Sequence, residues 1–284
     1  MESRRYRRLC RIIDQLSPHR QSRLQFSDAA IVKVYFHATH HKQPVSWACK
    51  SESWSMPMLH ATVGLELPSQ STMSRRMRSV GVLQLIERVL KKLAEMLCLL
   101  QGACVIKPID SKPLRVGSFS KDRDAKRGYV GPGEKARGYK LHAITCGDAF
   151  IHFTLLPMNR NDQFGAAMLL PQLREDRLGY GYVPGDNAYD ANPVYRAAAD
   201  VNHQLIAPPR KANAHVRDTK RNCPQRIRSL DLCANPLAHC GLGDNFGRQL
   251  LHARKQIERN FGHAAMDGLD APPPWVRTPR RLAP

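Results

Sequence analysis

Three acidic residues stand out by their neighbours. Asp110 follows the apolar-rich run Ala103–Ile109, Asp186 closes the run that begins at Tyr180, and Glu258 lies on a late helical pattern. Ligands collect at the carboxyl ends of strands in open α/β sheets, so each aspartate is a candidate ligand as well as an ordinary turn or cap residue. On the helix, Leu250, Ala253, Ile257 and Phe261 recur at spacings of three and four, while Leu251, Arg254 and Glu258 form a parallel row about 100° around the axis. Glu258 therefore stands at the edge of the buried face, one turn after Arg254, with which it can also simply pair at i, i+4. Three carboxylates suit in-line attack on a phosphodiester. That chemistry uses one cation to activate the nucleophile and a second, roughly 3.5–4 Å away, to stabilise the leaving oxygen, with several oxygens to balance their charge. Hard Mg²⁺ prefers such oxygen donors.

The rest of the chain carries the opposite charge. Its 284 residues hold 44 Lys+Arg against 24 Asp+Glu, a net charge of +20, with a pI near 10.0. A surplus of that size attracts polyanions, nucleic acid first among them. No apolar run is long enough to span a bilayer, and the start Met1–Arg8 lacks the apolar core of a secretory signal. Residues 4–23 hold arginines at 4, 5, 7, 8, 11, 20 and 23 against the single acid Asp14. Residues 210–228 hold Arg210, Lys211, Arg217, Lys220, Arg221, Arg226 and Arg228 against Asp218 alone. Such runs neutralise phosphates and release counterions, or are solvated basic segments. The eight cysteines (10, 49, 98, 104, 146, 223, 233, 240) have no Cys-x-x-Cys pair, a spacing of reduced thiols in a cytoplasm rather than a disulfide framework. The spacing of Cys223, Cys233, His239 and Cys240 matches no familiar zinc module.

Patterning predicts the elements that must hold these groups. Residues 1–102 read as helical. A helix over Asp28–His41 closes at Pro44, a short one covers Trp47–Lys50, and a long amphipathic one covers Val82–Leu100. In Leu67–Arg78, Pro68 sets the entry to a short helix, Ser69 or Ser71 can cap it, and Arg75, Arg76 and Arg78 decorate it. That stretch fits either a DNA-reading helix-turn-helix or a small helical pair. After Gln101-Gly102 the reading becomes strand (103–109), loop (111–137) and a hairpin of Gly138–Cys146 and Phe150–Leu156 about Gly147-Asp148. It continues as helix (162–174), strand (180–186), helix (192–201), strand (204–207), an aperiodic basic stretch and a helix over Phe246–Phe261. This is an α/β pattern with a mixed sheet flanked by helices, preceded by an all-helical N-terminal region. Pro184 is awkward for an inner strand, because it lacks a ladder donor.

Four segments in order carry a resemblance. They are Asp110–Leu114, Ala136–Ala143, Gly185–Asp190 and Arg254-x-x-Ile257-Glu258-Arg259-x-Phe261. Together they resemble the catalytic core of DDE transposases from bacterial insertion sequences, and Pro44–Cys49 with Leu67–Arg78 resembles the helical leader of such enzymes. The resemblance implies an RNase H-like fold whose first strand, fourth strand and late helix supply Asp110, Asp186 and Glu258. The separations, 76 residues from 110 to 186 and 72 from 186 to 258, suit that order. Where many relatives carry Tyr and Lys around the Glu, this chain has Leu251 and Ala265.

The resemblance further implies a metal-dependent transposase that cleaves element ends and joins them to target DNA. Asp110, Asp186 and Glu258 would hold two Mg²⁺, with Mn²⁺ as a substitute. Arg254 would contact a DNA phosphate, and Arg75, Arg76, Arg78, Arg137 and Lys140 are further DNA-contact candidates. The partners would be double-stranded DNA, as element ends and as target, and a second copy of the chain when both ends are bound. No membrane is implied, and the place of work would be the cytoplasm, at the nucleoid. Rival readings are a DNA-binding protein of helix-turn-helix type without catalysis, and an RNase H-like metal nuclease without strand transfer. The expected organisation is a helical DNA-binding region (1–102), a catalytic domain (103–268) with an irregular basic insertion (208–243), and a Pro/Arg-rich tail (269–284). The tail reads as truncated, because Pro272-Pro273-Pro274 stops any helix where relatives continue with one. Weak transposition is the expectation that follows.

Overall fold

A computed structural model describes residues 2–17, 24–64, 66–100, 105–174, 179–210, 218–234 and 246–266. The chain divides into two compact units, Met1–Leu93 and Ala94–Ala283. Among the described residues no helix is long and apolar enough to cross a membrane.

The first unit is helical: α1 (Glu2–Leu16), α2 (Asp28–His40), α3 (Val45–Ala48), α4 (Met56–Thr62), α5 (Gln70–Arg76) and the start of α6 (Val80–Leu100). Local chemistry explains the boundaries. The Ser27 hydroxyl accepts from the Ala30 N–H at the start of α2, and Ser69 accepts from Thr72 at the start of α5, each satisfying a free N–H. Pro44 precedes α3 in extended backbone. Helix α1 turns Tyr6, Cys10 and Ile13 inward while Arg4, Arg5, Arg8 and Arg11 are exposed. The core joins those side chains to Ile31, Val32, Met73, Val82, Leu85 and Val89. His37 stacks on Trp54 with ring centroids 3.7 Å apart.

The second unit is built on a mixed sheet. Its strands are β1 (Ile109–Arg115), β2 (Lys126–Gly131), β3 (Glu134–Cys146), β4 (Ala149–Pro157), β5 (Gly181–Pro184) and β6 (His203–Ile206). β3 pairs antiparallel with β1 along one side and, along the other, with β2 at its start and β4 over the rest. β5 and β6 are parallel. β5 joins the larger sheet through Ile106 and Tyr182, where the Lys107 N–H donates to Tyr182 and the Tyr182 N–H to Val105. The resulting order β4-β3-β1-β5-β6 is that of the RNase H-like fold. Two tight turns hold the antiparallel part: Gly133 (φ 73°) follows Pro132 between β2 and β3, and Gly147 (φ 52°) opens the turn between β3 and β4. Both glycines occupy the left-handed region that other residues resist. The helices are α7 (Asp162–Leu169), continued by a 3-10 turn to Arg174, α8 (Asn192–Ala199), α9 (Pro224–Ala234), α10 (Phe246–Ala253) and α11 (Lys255–Met266).

Four expectations change. Residues 111–137 are not a loop: β1 runs on to Arg115, β2 lies within the stretch, and β3 begins at Glu134. Pro113 and the basic side chains gave a loop-like pattern, yet β3 pairs with the whole of 109–115. The alternation set at Lys107 turns the Pro113 nitrogen away from β3, so no ladder bond is lost. Asp110 accordingly sits inside a strand rather than at its end. The stretch 208–243 includes the helix α9, so that part is not irregular. The late helix breaks at Arg254, and its apolar stripe serves two clusters: Leu250 packs with Ile206 and Leu232, while Ile257 and Phe261 pack on Ala143. Cys10, Cys49, Cys223 and Cys233 are free thiols, whereas Cys146 is disulfide-bonded, against the reading of reduced thiols throughout. The tail 269–284, with its proline run, lies outside the described residues.

Candidate active site

The β1–β3 register sorts the site residues onto two faces. Asp110 pairs with Ala143 and Lys112 with Leu141, while Ser111 pairs with His142 and Pro113 with Lys140. Side chains alternate along a strand, so Asp110, Lys112, Leu141 and Ala143 share one face and Ser111, Lys140 and His142 the other. Helix α11 covers the first face through Ile257 and Phe261. Helix α7 covers the second so closely that a Cβ on Gly165 would lie 2.3 Å from His142 Nδ1.

On the α11 face the Arg254 guanidinium bridges two carboxylates. Its Nη1 donates to Asp110 Oδ2 at 2.9 Å, and its Nη2 lies 2.5 Å from Glu258 Oε1. The helix break at Arg254 turns this side chain back over β1. Asp110 Oδ1 accepts from the Ser111 N–H at 2.8 Å. Burial pushes the Asp110 carboxyl up to about 6; the Ser111 N–H and Arg254 oppose that rise, and Asp186 and Glu258 add to it. Glu258 is half-exposed.

Asp186 follows β5 and caps the 3-10 turn Asn187–Tyr189, its Oδ1 accepting from the Ala188 N–H at 2.8 Å. Burial raises its carboxyl too; Asp162 adds to the rise, while Arg254 and Lys140 oppose it. Asp110, Asp186 and Glu258 thus share one electrostatic neighbourhood around Arg254. As they stand, no three acidic, His or Cys side chains among the described residues converge closely enough to hold one ion. The donor set nevertheless fits a hard divalent cation. Arg254 bridges the Asp110 and Glu258 carboxylates, Asp186 lies within the field of the same guanidinium, and Asp110, the most buried of the three, is pushed toward neutrality.

The other expected contacts separate. Arg75 and Arg78 are exposed on and just after α5. Arg76 is turned inward, 2.5 Å from Asp28 and donating to the Phe26 carbonyl. Arg137 donates to the carbonyls of Ala125, Ser120 and Asp122, pinning the loop before β2. Both guanidiniums are therefore committed to the fold. Within the second basic run, Arg226 pairs with buried Asp190, while Lys220, Arg221 and Arg228 remain exposed.

Three groups at the site escaped the sequence reading. Asp162, the first residue of α7, meets Ser111 and Lys140. His142 is fully buried with neither ring nitrogen hydrogen-bonded, and burial lowers it to about 4. Tyr189 is fully buried with an unpartnered hydroxyl. Burial first, then Asp162, Asp110 and Asp186, raise that phenol well above its usual range. Tyr189 stood inside a quoted motif, so its position was visible; Asp162 offered only the signal of an Asn-Asp helix start.

The chain is similar to known transposases. A sequence profile described as the transposase DDE domain matches residues 105–269. No curated protein matches. Among solved structures, a piggyBac transposase synaptic complex with hairpin DNA aligns at 11% identity and a TM-score of 0.34, over 76% of this chain and 43% of that one. The Mos1 transposase paired-end complex with the left transposon end aligns at 16% and 0.24, over 88% and 81%. A Mos1 mariner paired-end complex with Mn aligns at 17% and 0.23, over 86% and 99%. Likenesses this distant do not place individual residues. The profile match, by contrast, covers more than half of the chain and contains Asp110, Asp186 and Glu258, and on that match the chain belongs to the transposase DDE domain family.

Proposed function

We propose that this chain is a DNA transposase whose Asp110, Asp186 and Glu258 hold two divalent cations, Mg²⁺ or in its place Mn²⁺. The observation that carries the reading is that, within the matched region, Arg254 bridges Asp110 and Glu258 and its charge also acts on Asp186. When bound, the cations supply charge stabilisation at the attacking and leaving oxygens of an in-line displacement. The protein's own part is placement. Ser111 and Ala188 orient Asp110 and Asp186 through backbone N–H groups. Ile257 and Phe261 clamp α11 to the sheet and so bring Glu258 to the same edge. Arg254 exchanges its carboxylate partners for a DNA phosphate as DNA and metal arrive. Water nicks the element end, and the freed 3′-hydroxyl then attacks target DNA. The exposed arginines of α1, with Arg75 and Arg78, fit contact with duplex DNA, and one copy of the chain on each end makes a homodimer working at the nucleoid.

The test uses DNA flanking the gene, searched for inverted repeats and supplied as labelled duplex. Mg²⁺-dependent nicking that EDTA abolishes supports the enzyme, and binding without nicking leaves a DNA-binding protein. Nicking with no joined product on a target duplex leaves a metal nuclease without strand transfer.

A further inference from the structure

The α7 face of the sheet carries an acidic side chain whose contacts exceed the needs of its own helix. Asn161 caps α7, its Oδ1 accepting from the Phe164 N–H at 2.9 Å. Asp162 follows in the first turn, where a negative charge adds about 0.3–1 kcal/mol. That service asks nothing of the sheet, yet the Asp162 carboxylate draws three side chains from it. Ser111 Oγ donates to Oδ1 at 2.5 Å, Lys140 Nζ donates to Oδ1 at 3.2 Å and Oδ2 at 3.5 Å, and His142 Nδ1 lies 3.8 Å away. All three belong to the face opposite Asp110, Arg254 and Glu258.

Asp186 lies within the field of both faces, feeling Asp162 and Lys140 from one and Arg254 from the other. The buried Tyr189 hydroxyl also senses Asp162, Asp110 and Asp186 together, with Ser111 opposing their effect. Lys140 is the cation nearest Asp162 in this arrangement. Its side chain is 15% exposed, and a carboxylate partner offsets the cost of enclosing the ammonium. Asp162 holds it directly, and Asp186 is a second carboxylate on which the Lys140 charge already acts.

We propose that Asp162 is a positioning residue of the centre: it holds Lys140 on the α7 side, off Asp186, so that Asp186 stays open to metal and Lys140 faces an incoming phosphate. The proposal rests on the reading of Asp110, Asp186 and Glu258 as the metal-holding set. Asp162 is committed to Ser111 and Lys140 on the face opposite Asp110 and Glu258.

The experiment uses the full chain with Asp162→Asn, Asp162→Glu, Lys140→Met, the double change Asp162→Asn with Lys140→Met, and Asp110→Asn as reference. Mn²⁺ binding without DNA is read by electron paramagnetic resonance, and single-turnover nicking is read on labelled element ends. Asp162→Asn is expected to weaken Mn²⁺ binding about tenfold, as Lys140 moves onto Asp186. It should slow nicking by up to roughly a hundredfold, the effect of misplacing a reacting group by about 1 Å. Its melting temperature should stay within about 4 °C of the parent. Asp162→Glu restores part of both, and the double variant regains Mn²⁺ affinity, because the displaced lysine is gone. A double variant as weak for Mn²⁺ as Asp162→Asn overturns the proposal and makes Asp162 a ligand or a structural residue. So does a nicking loss of equal size in the parent and Lys140→Met backgrounds. A parent chain that neither binds Mn²⁺ nor nicks refutes the functional reading, and the proposal falls with it.

Discussion

Replacing Asp190 by alanine should unfold the second unit at markedly lower temperature, though Asp190 is no candidate for chemistry. Its side chain is fully buried beside a mostly buried Arg226. Arg226 Nε donates to Oδ1 at 2.8 Å and Nη2 to Oδ2 at 2.6 Å. The Arg210 N–H donates to Oδ2 at 2.9 Å, and Tyr195 donates to Oδ1 at 3.3 Å. Alanine leaves the guanidinium enclosed without its carboxylate and removes the acceptor from the Arg210 N–H. Breaking a buried ion pair by removing one partner costs about 3–5 kcal/mol. For a unit the size of Ala94–Ala283, each kcal/mol shifts the melting temperature by about 2–4 °C, so the expected fall is roughly 6–20 °C. Calorimetric melts, with urea titrations in parallel, measure it. The paired change Asp190→Leu with Arg226→Leu is the control, because replacing both ions by apolar groups is often neutral. It should melt well above Asp190→Ala. A loss below about 1 kcal/mol in Asp190→Ala, the scale of an exposed pair, would refute the reasoning. The same pair ties the segment after Asp186 to α9, so nicking should fall with stability.

Three further outcomes are expected. Asp110→Ala, Asp186→Ala and Glu258→Ala should each abolish Mg²⁺-dependent nicking while DNA affinity in a gel-shift titration is retained; a variant that nicks like the parent removes its residue from the site. DNA affinity should fall steeply with salt, log K against log[salt] having a slope of about −0.9 per phosphate neutralised, and a nearly flat plot would mean that the exposed arginines of α1 face solvent alone. His142 should weaken the fold in acid. Burial lowers its pKa from 6.5 to about 4, so below about 6.5 the unfolded chain gains a proton that the folded one refuses. Between pH 7 and 4 this contribution to stability is progressively lost. The buried Asp110, raised to about 6, acts in the opposite direction there. The quantity to measure is therefore the parent's stability minus that of His142→Gln, and a difference that does not change with pH contradicts the burial argument.

Much of the fold was legible because its signals are local. Ser69 before Gln70 and Asn161 before Asp162 are caps that act within four residues. The apolar spacing of α6 and the hairpin about Gly147 can be read from adjacent positions, and so can the four motifs in their order. What failed to be legible depends on partners far along the chain. Residues 111–115 become a strand because β3, some thirty residues later, supplies the pairing. The break at Arg254 divides a stripe that looks continuous, because Leu250 and Ile257 answer to different clusters. Charge was the least legible property. Arg75 and Arg76 are neighbours of identical type, yet only Arg76 meets Asp28 and the Phe26 carbonyl. Sequence alone determined that this chain is rich in cations and carries three well-spaced carboxylates. Only the tertiary structure decided which cations are already paired, and that Asp162 stands among the carboxylates. An ion's availability depends on the partners within a few ångströms of it, and the fold brings those partners from anywhere in the chain.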